Sequence, residues 1–138
     1  MPKEAPVRKK LSRQEKRDLD IEIGFLEGLV RRDPGYIDAL QILGDDYTKR
    51  GKFTLGLKID QRLAVLRPHD SLIYYNLACS YSLTGQQEEA ADALLQSLEY
   101  GYRDYKWLAE DPDLGDLRDH VCYSKVRGKI RLLKVKVH

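Results

Sequence analysis

Between residues 37 and 50 the positions Leu40, Leu43, Gly44 and Tyr47 recur at i, i+3, i+4 and i+7, and a second stripe of Leu55, Ile59, Leu63 and Leu66 follows after Gly51. A 3.6-residue period brings such positions to one face, so the spacing predicts two amphipathic helices. Upstream, Ser12 followed three residues later by Glu15 has the form of a capping box and predicts a long helix over residues 13 to 32, with Ile21, Phe25, Leu26 and Leu29 as its apolar stripe. Downstream, Asp70 is placed to cap SLIYYNLACSYSLTG, Gly51 and Gly85 fit C-terminal stops, and Pro68 ends the helix before it. Lys106 to Glu110 predicts a helix of little more than one turn, after which Asp111 and Pro112 open another. The last residues, KVRGKIRLLKVKVH, fit a basic amphipathic helix through Val126, Ile130 and Leu133, while the final Leu-Lys-Val-Lys-Val alternation fits a strand equally well.

These segments repeat. Leu43 and Leu77, Tyr47 and Tyr81, Gly51 and Gly85, Gly56 and Ala90, and Pro34 and Pro68 are each 34 residues apart. Gly44 and Gly56 would each cost about 1 kcal/mol against alanine in a helix interior, so their presence implies close approach of two antiparallel helices. A 34-residue period built on Leu43, Gly44, Tyr47, Gly56 and Pro68, then on Leu77, Ala78, Tyr81 and Ala90, resembles the tetratricopeptide repeat. GYRDYKWLAEDPDLGDLR is similar to the closing segment of small bacterial-type members of that family. Two positions depart from the pattern: Leu40 and Tyr74 stand where a large aromatic is usual, and Asp60 stands where the second helix has a large apolar residue, Leu94 in the next repeat.

The resemblance implies an all-α fold, a right-handed stack of antiparallel helix hairpins with about two full repeats and capping helices. The expected organisation is a basic disordered arm over 1–11, an N-terminal capping helix or half repeat over 12–34, repeats over 37–70 and 71–104, a shortened terminal repeat over 105–124, and a basic segment over 125–138. One repeat cannot bury its own apolar face, so the end segments are needed to complete the core.

Charge is segregated: residues 1–18 carry seven bases and three acids, residues 125–138 six bases and no acid, and the body between them is acidic. No segment approaches the roughly 18 apolar residues of a membrane span, and nothing apolar follows the charged N-terminus as a leader would require. Cys79 and Cys122 have no metal-ligand spacing, which reads as reduced thiols in a cytoplasmic protein, with no metal and no cofactor expected. No nucleotide-binding, zinc-protease or hydrolase motif occurs, so a non-enzymatic role is expected. Asp45 and Asp46 point about 100° apart around a helix and do not form a chelating pair, with Asp46 expected outward and solvated. Asp119, His120 and Cys122 read as a helix edge rather than a nucleophile and base.

The concave surface of tetratricopeptide proteins binds an extended segment or helix of a partner, and the resemblance implies the same use here. By register the lining would be Asp38, Gln41 and Asp45 from the first repeat, Leu72, Tyr75, Asn76 and Cys79 from the second, and Lys106 from the short helix. Tyr47 and Tyr81 fall at core positions, and Tyr100, Tyr102, Tyr105 and Trp107 at the C-terminal cap, whereas Tyr75 would turn to the concave side. Members that clamp a terminal carboxylate use two lysines, two asparagines and an arginine. Asn76 and Lys106 match that set, but Gln41, Asp45 and Glu110 break it. Asp38 and Asp45 then favour a neutral or cationic peptide or helix. The alternative is an RNA- or ribosome-associated accessory protein attached through Arg8, Lys9 and Lys10 at one end and Lys125, Arg127, Lys129, Arg131 and Lys134 at the other, although the C-terminal bases also suit capping, solvation, a membrane surface or the protein's own acidic body.

Overall fold

The computed structural model describes residues 8–136, without the side chain of Lys136, so most of the arm expected over 1–11 lies outside the described residues. Among those residues the protein is all-helical, with eight α-helices and two short 3-10 turns. They fall into two compact units, Lys9–Pro68 and a second running from His69 onward together with Arg8.

The first unit holds α1 (Arg13–Arg32), α2 (Ile37–Lys49) and α3 (Phe53–Leu66). The capping box forms as expected: the Glu15 amide donates to Ser12 Oγ at 3.1 Å and the Ser12 amide donates to Glu15 Oε1 at 3.3 Å. Helix α2 turns into α3 through Gly51, whose φ of 82° belongs to the left-handed region, with the Gly51 amide on Thr48 O and the Lys52 amide on Tyr47 O. That pair of bonds is a Schellman ending, which glycine adopts without a Cβ penalty. A Cβ on Gly44 would meet Ile59 Cγ2 at 3.2 Å and Asp60 Oδ1 at 3.3 Å, and one on Gly56 would meet Thr48 Oγ1 at 3.0 Å. The close approach inferred from these glycines is therefore real. Asp60, the departure from the repeat pattern, is buried in that seam.

The apolar stripe of α1 differs from the sequence reading. Ile23, Leu26 and Val30 are buried, whereas Ile21 and Phe25 are each 67% exposed. Inside the unit only one flank of α1 is covered, principally by α2, and the helix turns Ile23, Leu26 and Val30 to that flank. Asp46 also departs from expectation, because it is buried rather than solvated.

The second unit contains α4 (Ser71–Leu83), α5 (Gln87–Glu99), α6 (Tyr105–Glu110), α7 (Gly115–Arg118) and α8 (Ser124–Lys136), with 3-10 turns at Pro112–Leu114 and Val121–Tyr123. Its first hairpin copies α2 and α3 at an interval of 34 residues: α4 starts 34 after α2, α5 34 after α3, and α6 34 after α4. Gly85, with φ 79°, repeats the turn of Gly51. Asp70 Oδ1 accepts the amides of Leu72 and Ile73 at 3.0 and 3.2 Å, so this N-cap is satisfied by its own side chain. Where the first hairpin has Gly44 and Gly56, this one has Ala78 and Ala90, both fully buried. Residues 124–136 form a helix rather than a strand, packed on α5 with Val126 fully buried. Trp107, expected to pack in the cap, is 42% exposed, and Leu108 from the same helix is buried in its place.

Candidate functional site

The face of α2 turned away from its core carries Asp38, Ile42 and Asp45 at i, i+4 and i+7, with Gln41 half-buried beside them. A helix commits Ala39, Leu40, Leu43, Gly44 and Tyr47 to the interior, and the 3.6 period leaves this row outside. Ile42 is 47% exposed between two exposed carboxylates. Sequence reasoning misses it, because Ile42 lies off the Leu40–Leu43–Tyr47 stripe and so belongs to no predicted face. Neighbouring atoms strip part of the hydration from Asp45 and raise its carboxyl above the usual range, against the opposing pull of Lys49.

Asp46, one residue on, points the other way. Its Oδ2 has no hydrogen-bond partner, while its carboxyl bonds that of Glu22 on α1. Burial first, then the hydrogen bond and repulsion from Glu22, push Asp46 up to about 7.

On α4 the expected lining is largely covered. Tyr75 and Cys79 are buried, Asn76 is half-buried, Leu72 is 54% exposed and Lys106 is exposed. Tyr75 does not present its ring outward as expected; the ring stacks on Tyr102 with centroids 4.3 Å apart and planes 12° from parallel. Its hydroxyl donates to Asp111 Oδ2 at 2.7 Å, and the Cys79 thiol donates to the same oxygen at 3.7 Å. The reason is the closing segment: Tyr102, Asp111 and the Pro112–Leu114 turn fold back onto α4 and fill the face. Burial raises the Tyr75 hydroxyl, with Cys79 and Asp111 adding to the effect. Cys79, Asp111 and Asp113 come within 4.8 Å of one another, yet Asp111 Oδ2 already accepts Tyr75, its Oδ1 accepts the Asp113 amide, and Asp113 pairs with Arg8. This is a closed polar network around a helix N-cap.

The basic candidates are distributed in the same manner. Arg8 pairs with Asp113, Lys9 with Glu15 at 2.9 Å and Lys129 with Glu99 at 2.6 Å, while Arg127 lies over the Tyr123 ring and Lys134 over Tyr105. Lys10, Lys125 and Arg131 are exposed. Most of the bases proposed for polyanion contact therefore fasten helices and caps. His120 Nδ1 accepts the Cys122 amide at 3.1 Å, so that nitrogen caps a turn instead of facing the thiol, and burial raises the Cys122 thiol.

No family model matches the chain. It is 32% identical over 100 residues to the PEX5-related protein of Homo sapiens, covering 72% of this chain and 16% of that protein. Over 78 residues it is 35% identical to a chloroplastic protein of Arabidopsis thaliana, covering 54% of this chain and 23% of that one. The chain thus spans less than a quarter of the length of either relative. These partial similarities and the all-helical, 34-residue repeat are compatible with a tetratricopeptide-like protein. Among the described residues no helix is long and apolar enough to cross a membrane.

Proposed function

We propose that the chain is a non-enzymatic protein-interaction module that holds a cationic peptide or helix of a partner against the outward face of α2. The observation carrying this reading is Ile42, exposed between the exposed carboxylates of Asp38 and Asp45 on a helix whose opposite side is sealed by α3. An apolar anchor flanked by one sign of charge selects a ligand with an apolar residue between basic ones, because the carboxylates steer and orient it while the isoleucine supplies buried area. Similarity to parts of the PEX5-related protein and of the chloroplastic Arabidopsis protein supports a tetratricopeptide-type interaction role. The α4 face contributes less to this reading, since Tyr75 and Cys79 are already covered from within.

The test is selection from a random peptide display library, followed by affinity measurement on the wild type and on Ile42→Glu. Enrichment of peptides with lysine or arginine around an apolar residue, with affinity lost in Ile42→Glu, is the expected result. Peptides that bind both proteins equally would sink the proposal.

A further inference from the structure

Ile21 and Phe25 sit one turn apart on α1, each 67% exposed, on the side away from Ile23, Leu26 and Val30. Gly24 and Gly28 lie in the same strip, and a Cβ at either would meet nothing within 4 Å. That separates them from Gly44 and Gly56, whose missing side chains the α2–α3 seam requires. Glycine is the poorest helix former after proline, so two of them in mid-helix call for a reason, and nothing inside the first unit provides one. Bare backbone beside two large apolar side chains is the surface that lets a second helix approach closely.

The charges around this strip state what that helix carries. Arg17 and Arg32 stand at its two ends, and the exposed Asp18 and Glu22 run along the edge away from Arg17, so positive charge gathers on the Arg13–Arg17 side. Beside Ile21 a recess of about 490 Å³ is lined by Arg13, Lys16, Arg17 and Arg50, with Asp20 in it already taken by Arg50 at 2.9 Å. Arg13, Lys16 and Arg17 occupy the first turns of α1, where the helix dipole disfavours positive charge. An anionic group in the recess would answer both the dipole and their mutual repulsion.

We infer that the outward face of α1 docks an acidic amphipathic helix from a partner protein, its apolar residues on Ile21 and Phe25 and its carboxylates in the Arg13–Lys16–Arg17–Arg50 recess. Arg17 and Arg32 are 15 residues apart, about 22 Å along a helix, so the occupant needs roughly four turns. This surface is independent of the α2 face.

The experiment uses the full chain and two synthetic hydrocarbon-stapled helical peptides of equal length. Both carry leucines at i and i+4; one has glutamates at both ends and the other has lysines there. Fluorescence anisotropy measures affinity, and amide chemical shifts locate the contact. The expected result is saturable binding of the glutamate peptide, at least about tenfold tighter than the lysine peptide, with shifts concentrated between Arg13 and Arg32. Ile21→Glu with Phe25→Glu should cost at least about tenfold, and since both residues are largely exposed, circular dichroism should stay unchanged. Arg17→Glu with Arg32→Glu should invert the preference between the peptides. Ile42→Glu should leave this binding intact, which separates failure here from failure of the α2 reading. Equal affinity for both peptides, indifference to the Ile21 and Phe25 changes, or a dimer in sedimentation that Phe25→Glu disperses would each overturn the proposal.

Discussion

The Tyr75 hydroxyl donates to Asp111 Oδ2 at 2.7 Å, joining the middle of α4 to the N-cap of the Pro112–Leu114 turn. Both residues are buried. Removing the hydroxyl leaves the buried Asp111 Oδ2 to the long Cys79 thiol contact at 3.7 Å, which forfeits more than the net value of the bond because that oxygen has lost its hydration too. Tyr75→Phe keeps the ring stacked on Tyr102 and should therefore isolate the hydroxyl, lowering stability by about 1–3 kcal/mol. Urea titration would show a lower midpoint with unchanged slope; an unchanged midpoint would mean the bond contributes nothing.

That tyrosine also marks where sequence reasoning stops. Helix starts and turns are legible because their signals are local: Ser12 and Glu15 cap each other within one turn, and Gly51 and Gly85 announce a φ near +80° by residue type. The seam glycines are legible for the same reason. Tyr75 is not, since its burial depends on how residues 102–114 fold back across α4, a contact 27 or more positions away. Asp46 fails similarly: a helical wheel for α2 alone leaves it outside, and only the arrival of α1 encloses it. Ile42 escapes notice because an exposed apolar residue has no periodic signature of its own.

The buried carboxyl of Asp46, beside Glu22, makes stability depend on pH. Folded Asp46 keeps its proton up to about pH 7, whereas the unfolded chain releases it near the ordinary 3.8. Between those values the folded state binds more protons, so raising the pH lowers stability, by at most about 1.4 kcal/mol per unit. Above the folded value the loss is complete and the dependence flattens. Asp46→Asn should remove this slope and be relatively more stable at pH 8 than at pH 5 when compared with wild type. Urea unfolding across that range checks it, and parallel curves for the two proteins would count against a raised Asp46 carboxyl.

Glycines in different settings should respond oppositely to alanine. Gly28 lies inside α1 with open space around it, so Gly28→Ala should stabilise by about 0.5–1 kcal/mol through helix propensity alone. Gly51 and Gly85 have φ of 82° and 79°, where a Cβ collides with the backbone. Gly51→Ala or Gly85→Ala should destabilise by roughly 1–2 kcal/mol. Thermal melts of the three variants would order them, with Gly28→Ala above wild type and the other two below; a fall in all three would mean that α1 tolerates no added methyl.

On α2, the two exposed acids should govern rate and selectivity rather than folding. Asp38 and Asp45 are exposed, and replacing surface groups of this kind usually changes stability by no more than about 0.5 kcal/mol. Asp38→Asn with Asp45→Asn, which puts no positive charge in the first turn of α2, should therefore melt close to wild type. Its affinity for a peptide with bases around an apolar residue should drop about tenfold at low salt, chiefly through slower association, since charges at the edge of a contact act by steering. At about 1 M salt screening reaches within about 3 Å, and the difference between variant and wild type should shrink to the part carried by Ile42. Stopped-flow association rates at both salt concentrations test this, and a salt-independent loss would show that Asp38 and Asp45 act through packing instead.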